Sequence, residues 1–194
     1  KTKKPAFTRS KKNELWVMLL EKAWAKVCGN YENSISGLCC ESFRTLTGAP
    51  VEYIDHDYIK EVWDQIYNAY VDGHVICGLA EKENLAKRTE DMDLFSAYAY
   101  SIIKAHEYDT EEGRVRVVQM RNPGDQKWLG MFSDNSKLLK DELKEKTGGK
   151  GGEDVLFVSI EDYLCYFRNT LICRCNPTFS SSSLKCTQKI GDTS

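Results

Sequence analysis

Long hydrophobic runs are missing from this sequence. No segment approaches the roughly 18–20 apolar residues that a membrane span needs, and no apolar run follows the basic start as it would in a secretory leader. Histidine is scarce: His56, His74 and His106 are the three, and none has a close partner of the kind a zinc site uses. A dominant charge is lacking too. With 27 Lys and Arg against 29 Asp and Glu, the formal net charge is −2, which argues against nucleic acid or a strongly anionic partner. Internal repeats are absent.

Cysteine, by contrast, is plentiful. The eight are Cys28, Cys39, Cys40, Cys77, Cys165, Cys173, Cys175 and Cys186. An even count suits a disulfide framework in a small secreted domain. A chain of 194 residues that is 41% hydrophobic can build a core without such bridges, so reduced, mostly buried thiols are expected. Cys39-Cys40 and Cys173-Arg-Cys175 have the wrong spacing for a Cys-x2-Cys zinc knuckle.

The first twelve residues carry Lys1, Lys3, Lys4, Arg9, Lys11 and Lys12 before any acid, and residues 1–13 read as a solvated basic linker. A start at Lys rather than Met suggests part of a longer or processed chain. Apolar residues at three- and four-residue steps (Leu15, Trp16, Leu19, Leu20, Ala23, Trp24, Val27) predict a helix over 14–28, stopped by Gly29-Asn30. A short helix is expected near 39–46. A further helix over about 57–71, capped by Asp55 or Asp57, would carry Ile59, Val62, Trp63, Ile66 and Tyr70 on its apolar face.

Strand signals follow at 74–80, 98–107 and 114–120, with a turn at Thr110–Gly113 and a second at Asn122–Asp125. Residues 81–93 read as a charged loop, 136–146 as a charged helix, and Gly148–Gly152 as a flexible connection. Val155–Ser159 reads as a strand, Ile160–Phe167 as a short helix and Thr170–Cys175 as a final strand. A Ser-rich stretch closes the chain. Strands joined by tight turns, with helices before and after, make an α+β domain around an antiparallel sheet.

Ordered segments then carry a resemblance. Leu19-Leu-Glu-Lys-Ala-Trp-Ala-Lys26 with Gly29-Asn-Tyr-Glu32 resembles LLEKAYAK…GSYE. Glu41-Ser-Phe-Arg-Thr-Leu-Thr-Gly48 resembles E-x-x-x-x-LTGG. Ala97-Tyr-Ala-Tyr-Ser-Ile102 and Met120-Arg-Asn-Pro123 are similar to GHAYS and RNPWG. Trp128-Leu-Gly-Met-Phe-Ser-Asp134 is similar to EW-x-G-x-WSD, and Val158-Ser-Ile-Glu-Asp-Tyr163 to M-S-F-E-D-F. Together they span about residues 14–175 and resemble the protease core of the calpain family, a papain-like cysteine protease with two lobes across a cleft.

The resemblance implies the second lobe, an antiparallel β-sheet or barrel with flanking helices. Residues 14–48 would come from the lobe junction, 49–175 would be the lobe, and 176–194 a flexible tail. The family's first lobe supplies the nucleophilic Cys, in a Gly-x-Cys-Trp setting that none of these cysteines has. A nucleophile would therefore lie upstream of Lys1. The second lobe supplies His and Asn. Alignment on GHAYS puts Tyr98 at the His position, and Asn122 matches the Asn.

Cysteine catalysis needs a thiolate beside an imidazole that later protonates the leaving amine. A phenol ionises near pH 10, about three units too high for that exchange at neutral pH. Gly124 stands where the family has a shielding Trp, so Asn122 reads more simply as a turn cap. His106, about 26 Å along an extended strand from Tyr98, reads as an ordinary hairpin residue. The resemblance also implies calcium in acidic loops, here at Asp134 and at Glu153-Asp154. Lys127 in place of an acid, and Val155 in place of another, weaken that site.

The resemblance thus implies a calpain-like fragment without activity, a pseudoprotease that binds protein partners or acts as a scaffold. Its partners would include the remaining lobe of the parent chain, in a cytoplasmic, cytoskeletal or ciliary setting. The alternative is part of an active calcium-dependent endopeptidase.

Overall fold

The computed structural model describes residues 14–80, 94, 98–110, 113–124, 127–133, 154–176, 178, 180 and 182. Through these the chain forms α1 (Trp16–Val27), a 3-10 turn (Glu32–Ser34), α2 (Cys39–Thr47), β1 (Val51–Asp55), α3 (Val62–Val71) and β2 (Val75–Ala80). It continues with β3 (Ala99–Thr110), β4 (Gly113–Arg121), β5 (Val155–Ser159), α4 (Ile160–Tyr166) and β6 (Phe167–Cys173). The basic start, the charged stretch 81–93, the helix expected over 136–146, the glycine run and nearly all of the Ser-rich stretch lie outside the described residues.

Every strand pairing is antiparallel, and the six strands form one sheet in the order β1-β6-β2-β3-β4-β5. The sheet is open, with β1 and β5 at its ends, rather than a closed barrel. The β3–β4 hairpin is its longest unit. It closes at Thr110 opposite Gly113, where the Thr110 hydroxyl donates to the Gly113 carbonyl at 2.8 Å.

Strand alternation sorts side chains by face. Ile76, Tyr100, Ile102, Val118, Met120, Leu156, Val158 and Ile172 join one core with Trp63, Ile66 and Ala69 of α3 and Tyr163 and Tyr166 of α4. Burial of each large apolar side chain contributes about 1.5–3 kcal/mol. A smaller cluster gathers Val117, Phe132 and Phe157. Helix α2 lies against β6 and β1. Polar contacts tie α3 to the hairpin. The Trp63 indole donates to Glu107 Oε2 at 2.9 Å and Arg116 Nε donates to the same oxygen at 2.8 Å, while the Arg116 guanidinium lies 5.5 Å from the Trp63 ring centre.

One glycine position is set by close approach. A Cβ at Gly78, in the middle of β2, would come within 2.7 Å of the Tyr163 hydroxyl and 2.8 Å of its ring. Tyr163 therefore lies flat on the bare backbone of β2, stacked on Phe167 with ring centres 4.8 Å apart.

Four expectations need correction. Val51–Asp55 is a strand, paired along its whole length with β6, although no strand is predicted there. Helix α3 starts at Val62 rather than near Asp57: the Asp55 carboxylate accepts from the Asp57 backbone at 3.0 Å and closes a turn, from which Ile59 reaches the core. Strand β6 begins at Phe167, three residues early, because α4 passes into it without a loop. The cysteines also differ in burial. The seven described are free thiols, but Cys77 and Cys173 alone are fully buried.

Candidate functional site at the open end of the hairpin

Strands β3 and β4 run antiparallel with Ile102 opposite Met120. The start of β3 and the end of β4 therefore share one end of the hairpin, away from its turn. Tyr98 immediately precedes β3 and Asn122 immediately follows β4, so the topology brings these two predicted residues to the same end.

Their environments differ. The Tyr98 carbonyl accepts from the Ala80 N–H at 3.1 Å, which adds one bond to the β2–β3 ladder and fixes the backbone. Its side chain is 53% exposed. Asn122 is buried. Its N–H donates to the Asp154 carbonyl at 2.9 Å, and its Oδ1 accepts from the Gly124 N–H at 3.4 Å. Asn122 thus closes the turn after β4 and ties it to the residue before β5. Lys127 is exposed, and Asp154 is half-buried. Asp134 and Glu153 lie outside the described residues. Among the described residues no three His, Cys, Asp or Glu side chains gather where they could hold a metal ion.

The histidines occupy other places. His106 lies within the hairpin opposite Val117, with Nε2 3.1 Å from Gln119 Oε1, and burial pulls its pKa below the usual imidazole value. His74 follows α3, with Nδ1 3.4 Å from the Cys175 carbonyl. His56 follows β1 at the same sheet end as Tyr98, with β6 and β2 between them, a separation of about 14 Å at 4.8 Å per strand.

His56 belongs to a partly buried chain that has no local signature in the sequence. Its Nδ1 lies 2.5 Å from the Phe167 carbonyl and its Nε2 2.7 Å from Thr170 Oγ1. Thr170 Oγ1 lies 2.6 Å from the Tyr163 hydroxyl. A carbonyl only accepts, so Nδ1 carries the proton and, in the neutral ring, Nε2 accepts. Thr170 then donates to His56 and accepts from Tyr163. Burial lowers the His56 pKa, against the opposing pull of the Phe167 carbonyl, Asp55 and Asp57. Burial also raises the pKa of Tyr163. With both ring nitrogens engaged, His56 is a structural clamp on the α4–β6 junction.

Trp128 is held with comparable closeness. Its buried ring meets Tyr166 edge-on at 5.9 Å and packs over Gly130, where a Cβ would lie 2.0 Å from the indole. The Met131 N–H donates to Asp162 Oδ2 at 3.3 Å, which draws this segment to the start of α4. The W-x-G spacing is the visible sequence sign of the arrangement.

The site therefore presents an exposed phenol beside a turn closed by Asn122. It can stack on an apolar or aromatic group and exchange hydrogen bonds; it has no imidazole to shuttle a proton.

Comparison with known proteins agrees with the motif order. The family model described as "Calpain family cysteine protease" matches residues 1–174. The chain is 31% identical over 187 residues to the calpain-type cysteine protease DEK1 of Arabidopsis thaliana, covering 90% of this chain and 8% of that protein. It is 31% identical over 183 residues to Calpain-B of Drosophila melanogaster, covering 87% of this chain and 20% of that one. It is 29% identical over 180 residues to Calpain-8 of Rattus norvegicus, covering 88% and 25% respectively. The chain thus spans a quarter or less of the length of these relatives. A six-stranded antiparallel sheet with its helices, a match along nine-tenths of the sequence and the ordered motifs lead to one assignment: the chain belongs to the calpain family of cysteine proteases.

Proposed function

We propose that this chain is a calpain-family second lobe that does not support hydrolysis and serves as a protein-binding or scaffold module. The observation that carries the proposal is Tyr98, an exposed phenol at the position where the family motif has His. A thiolate held by a phenol would lack the cationic partner that stabilises it and the acid that releases the amine. Asn122, with its Oδ1 toward the Gly124 N–H, has a sufficient role in the turn. An exposed aromatic ring is well suited to protein contact.

The exposed apolar face of α1 supports a partner role. Leu15, Trp16, Leu19 and Val27 are all exposed, and Ala25 is the helix's one buried residue. In relatives of which the match covers a quarter or less, further chain is available to cover such a face, and the remaining lobe of a parent chain is the occupant proposed here. Calcium at Asp134 and Glu153-Asp154 is a weaker part of the proposal, because Lys127 and Val155 replace acids. A cytoplasmic setting at the cytoskeleton or cilium follows from the resemblance alone, and co-sedimentation with a detergent-insoluble fraction checks it.

The test is casein hydrolysis by the full-length protein with and without Ca²⁺. No cleavage is expected. Cleavage that an epoxide inhibitor of cysteine proteases blocks would overturn the proposal and favour an active endopeptidase with its nucleophile upstream. In this chain, Tyr98→His is expected to restore nothing, and epoxide labelling of any of its cysteines would contradict that.

A further inference from the structure

Residues 56–61, the turn between β1 and α3, lie mostly at the surface. Asp57, Tyr58, Lys60 and Glu61 are exposed, and His56 and Ile59 are half-buried. The Asp55 carbonyl accepts from the Ile59 N–H at 3.2 Å and from the Tyr58 N–H at 3.3 Å, which curls the turn on itself. Toward β6, the His56 N–H donates to the Arg168 carbonyl at 2.9 Å, and Arg168 Nε lies 3.6 Å from Asp57 Oδ2. Both side chains of that ion pair are exposed, so it holds little in water. The tie that reaches the interior is the His56 ring, through the Phe167 carbonyl and Thr170.

This tie tolerates one protonation state. The ring is open to solvent on one side, whereas Thr170 and Tyr163 are fully buried. Nδ1 already donates to the Phe167 carbonyl, so Nε2 takes any added proton. The neutral ring gives a matched series in which Tyr163 donates to Thr170 and Thr170 donates to Nε2. An added proton makes three donors (Nε2, Thr170 and Tyr163) for two hydroxyl oxygens, and one buried hydroxyl hydrogen is stranded. Tyr163 has no room to turn away, since it is stacked on Phe167 and lies against the bare backbone of Gly78.

The charges around the ring favour a cation outside this cage. Asp55 and Asp57, on either side of His56 in the chain, both attract it. From β6, the Arg168 guanidinium is turned to Asp57. From α4, Tyr163 stays neutral because burial raises its pKa. Phe167 and Thr170 carry no charge.

We propose that residues 56–61 form a pH-operated latch, shut while the His56 ring is neutral and released from α4 and β6 when that ring takes a proton. In the released state the imidazolium stands in water near two carboxylates. Thr170 and Tyr163 keep their mutual bond, and water replaces the ring. Burial holds the pKa of the shut ring below its ordinary 6.5, so opening takes up one proton as pH falls through that value. The opening constant is then expected to rise about three- to fivefold from pH 6.5 to pH 5.5 and less than about twofold from pH 7.5 to pH 6.5, by one-proton linkage.

The experiment is hydrogen exchange of the full-length protein, read by mass spectrometry at these three pH values. An unstructured peptide corrects for the chemical pH dependence of exchange. The amides of His56, Tyr58 and Ile59 should follow the stated rise, while those of β2 stay protected. His56→Gln should abolish the dependence. Slow exchange at the imidazole C2 carbon reports the pKa of the ring itself. It is expected below 6.5, and Thr170→Val should raise it by removing the donor to the neutral ring. Corrected exchange of the turn that ignores pH, an equal change in β2, a dependence that survives His56→Gln, or a ring pKa that Thr170→Val leaves in place would each overturn the proposal. The measurements on the unmodified protein decide even where a variant fails to fold.

Discussion

A methyl group added at Gly78 would sit against the Tyr163 hydroxyl, its ring and Phe167 at once. Tyr163 is fully buried and stacked on Phe167, so nothing flexible can give way. Gly78→Ala is expected to cost about 1–3 kcal/mol or more, as overpacking of a filled core does, and urea unfolding measures it. Tyr163→Phe is gentler. It removes one hydroxyl from the buried chain while Thr170 keeps His56, for a loss of about 1 kcal/mol. The same chain gives stability a pH dependence whose sign is fixed. The folded-state pKa of His56 lies below its unfolded value of 6.5, so the unfolded chain binds the proton more readily. The His56 contribution is complete above 6.5 and declines as pH falls from there toward the lowered folded-state value. Protonation would turn Nε2 into a donor, Thr170 could no longer donate to His56, and one of the two buried hydroxyl protons, of Thr170 or Tyr163, would lose its acceptor. His106 shifts in the same direction. The urea midpoint is therefore expected to drop between pH 8 and pH 5.5, and a His106→Asn variant should keep the His56 share of that drop.

Elements differ in how firmly they are held. Helix α4 has a buried cap, the Ser159 hydroxyl accepting from the Asp162 N–H at 3.0 Å, and Ser159→Ala is expected to cost about 1 kcal/mol in urea unfolding. Helix α1 is the opposite case, amphipathic with most of its apolar residues exposed. Replacing Trp16 and Leu19 with Glu should leave the urea midpoint within the small range of surface changes, about 0.5 kcal/mol, while lowering self-association and binding of a hydrophobic dye. These contrasts also mark what was legible in the sequence. Strand β5 and helices α1 and α2 fall where pattern and stop signals put them, because the signal is local. Strand β1 does not announce itself: of Val51–Asp55, Ile54 alone is fully buried, and the segment is a strand because β6, more than a hundred residues on, pairs with it. Asn169 discourages a strand reading of early β6, yet it is buried between Asp55 and Leu79. At the site, Tyr98 and Asn122 were legible through their motifs. The His56–Thr170–Tyr163 chain was not, since it joins residues that only the register brings together.

For the whole molecule, one strand position carries a consequence for synthesis. Strand β6 is the last of the described strands in sequence yet lies between β1 and β2, and it is the only partner of β1 among the described residues. A ribosome making this chain releases β1 more than a hundred residues before β6, and that strand must wait for β6 before its backbone groups are matched. Until then β1 has no ladder and β2 has an open edge, the condition in which nascent chains aggregate. Such long-range closure also slows refolding compared with a sheet built from neighbouring hairpins. A chain ended after Tyr166 would keep the β3–β4 hairpin but leave that edge open for good, and it should collect in the insoluble fraction while the full chain stays in solution.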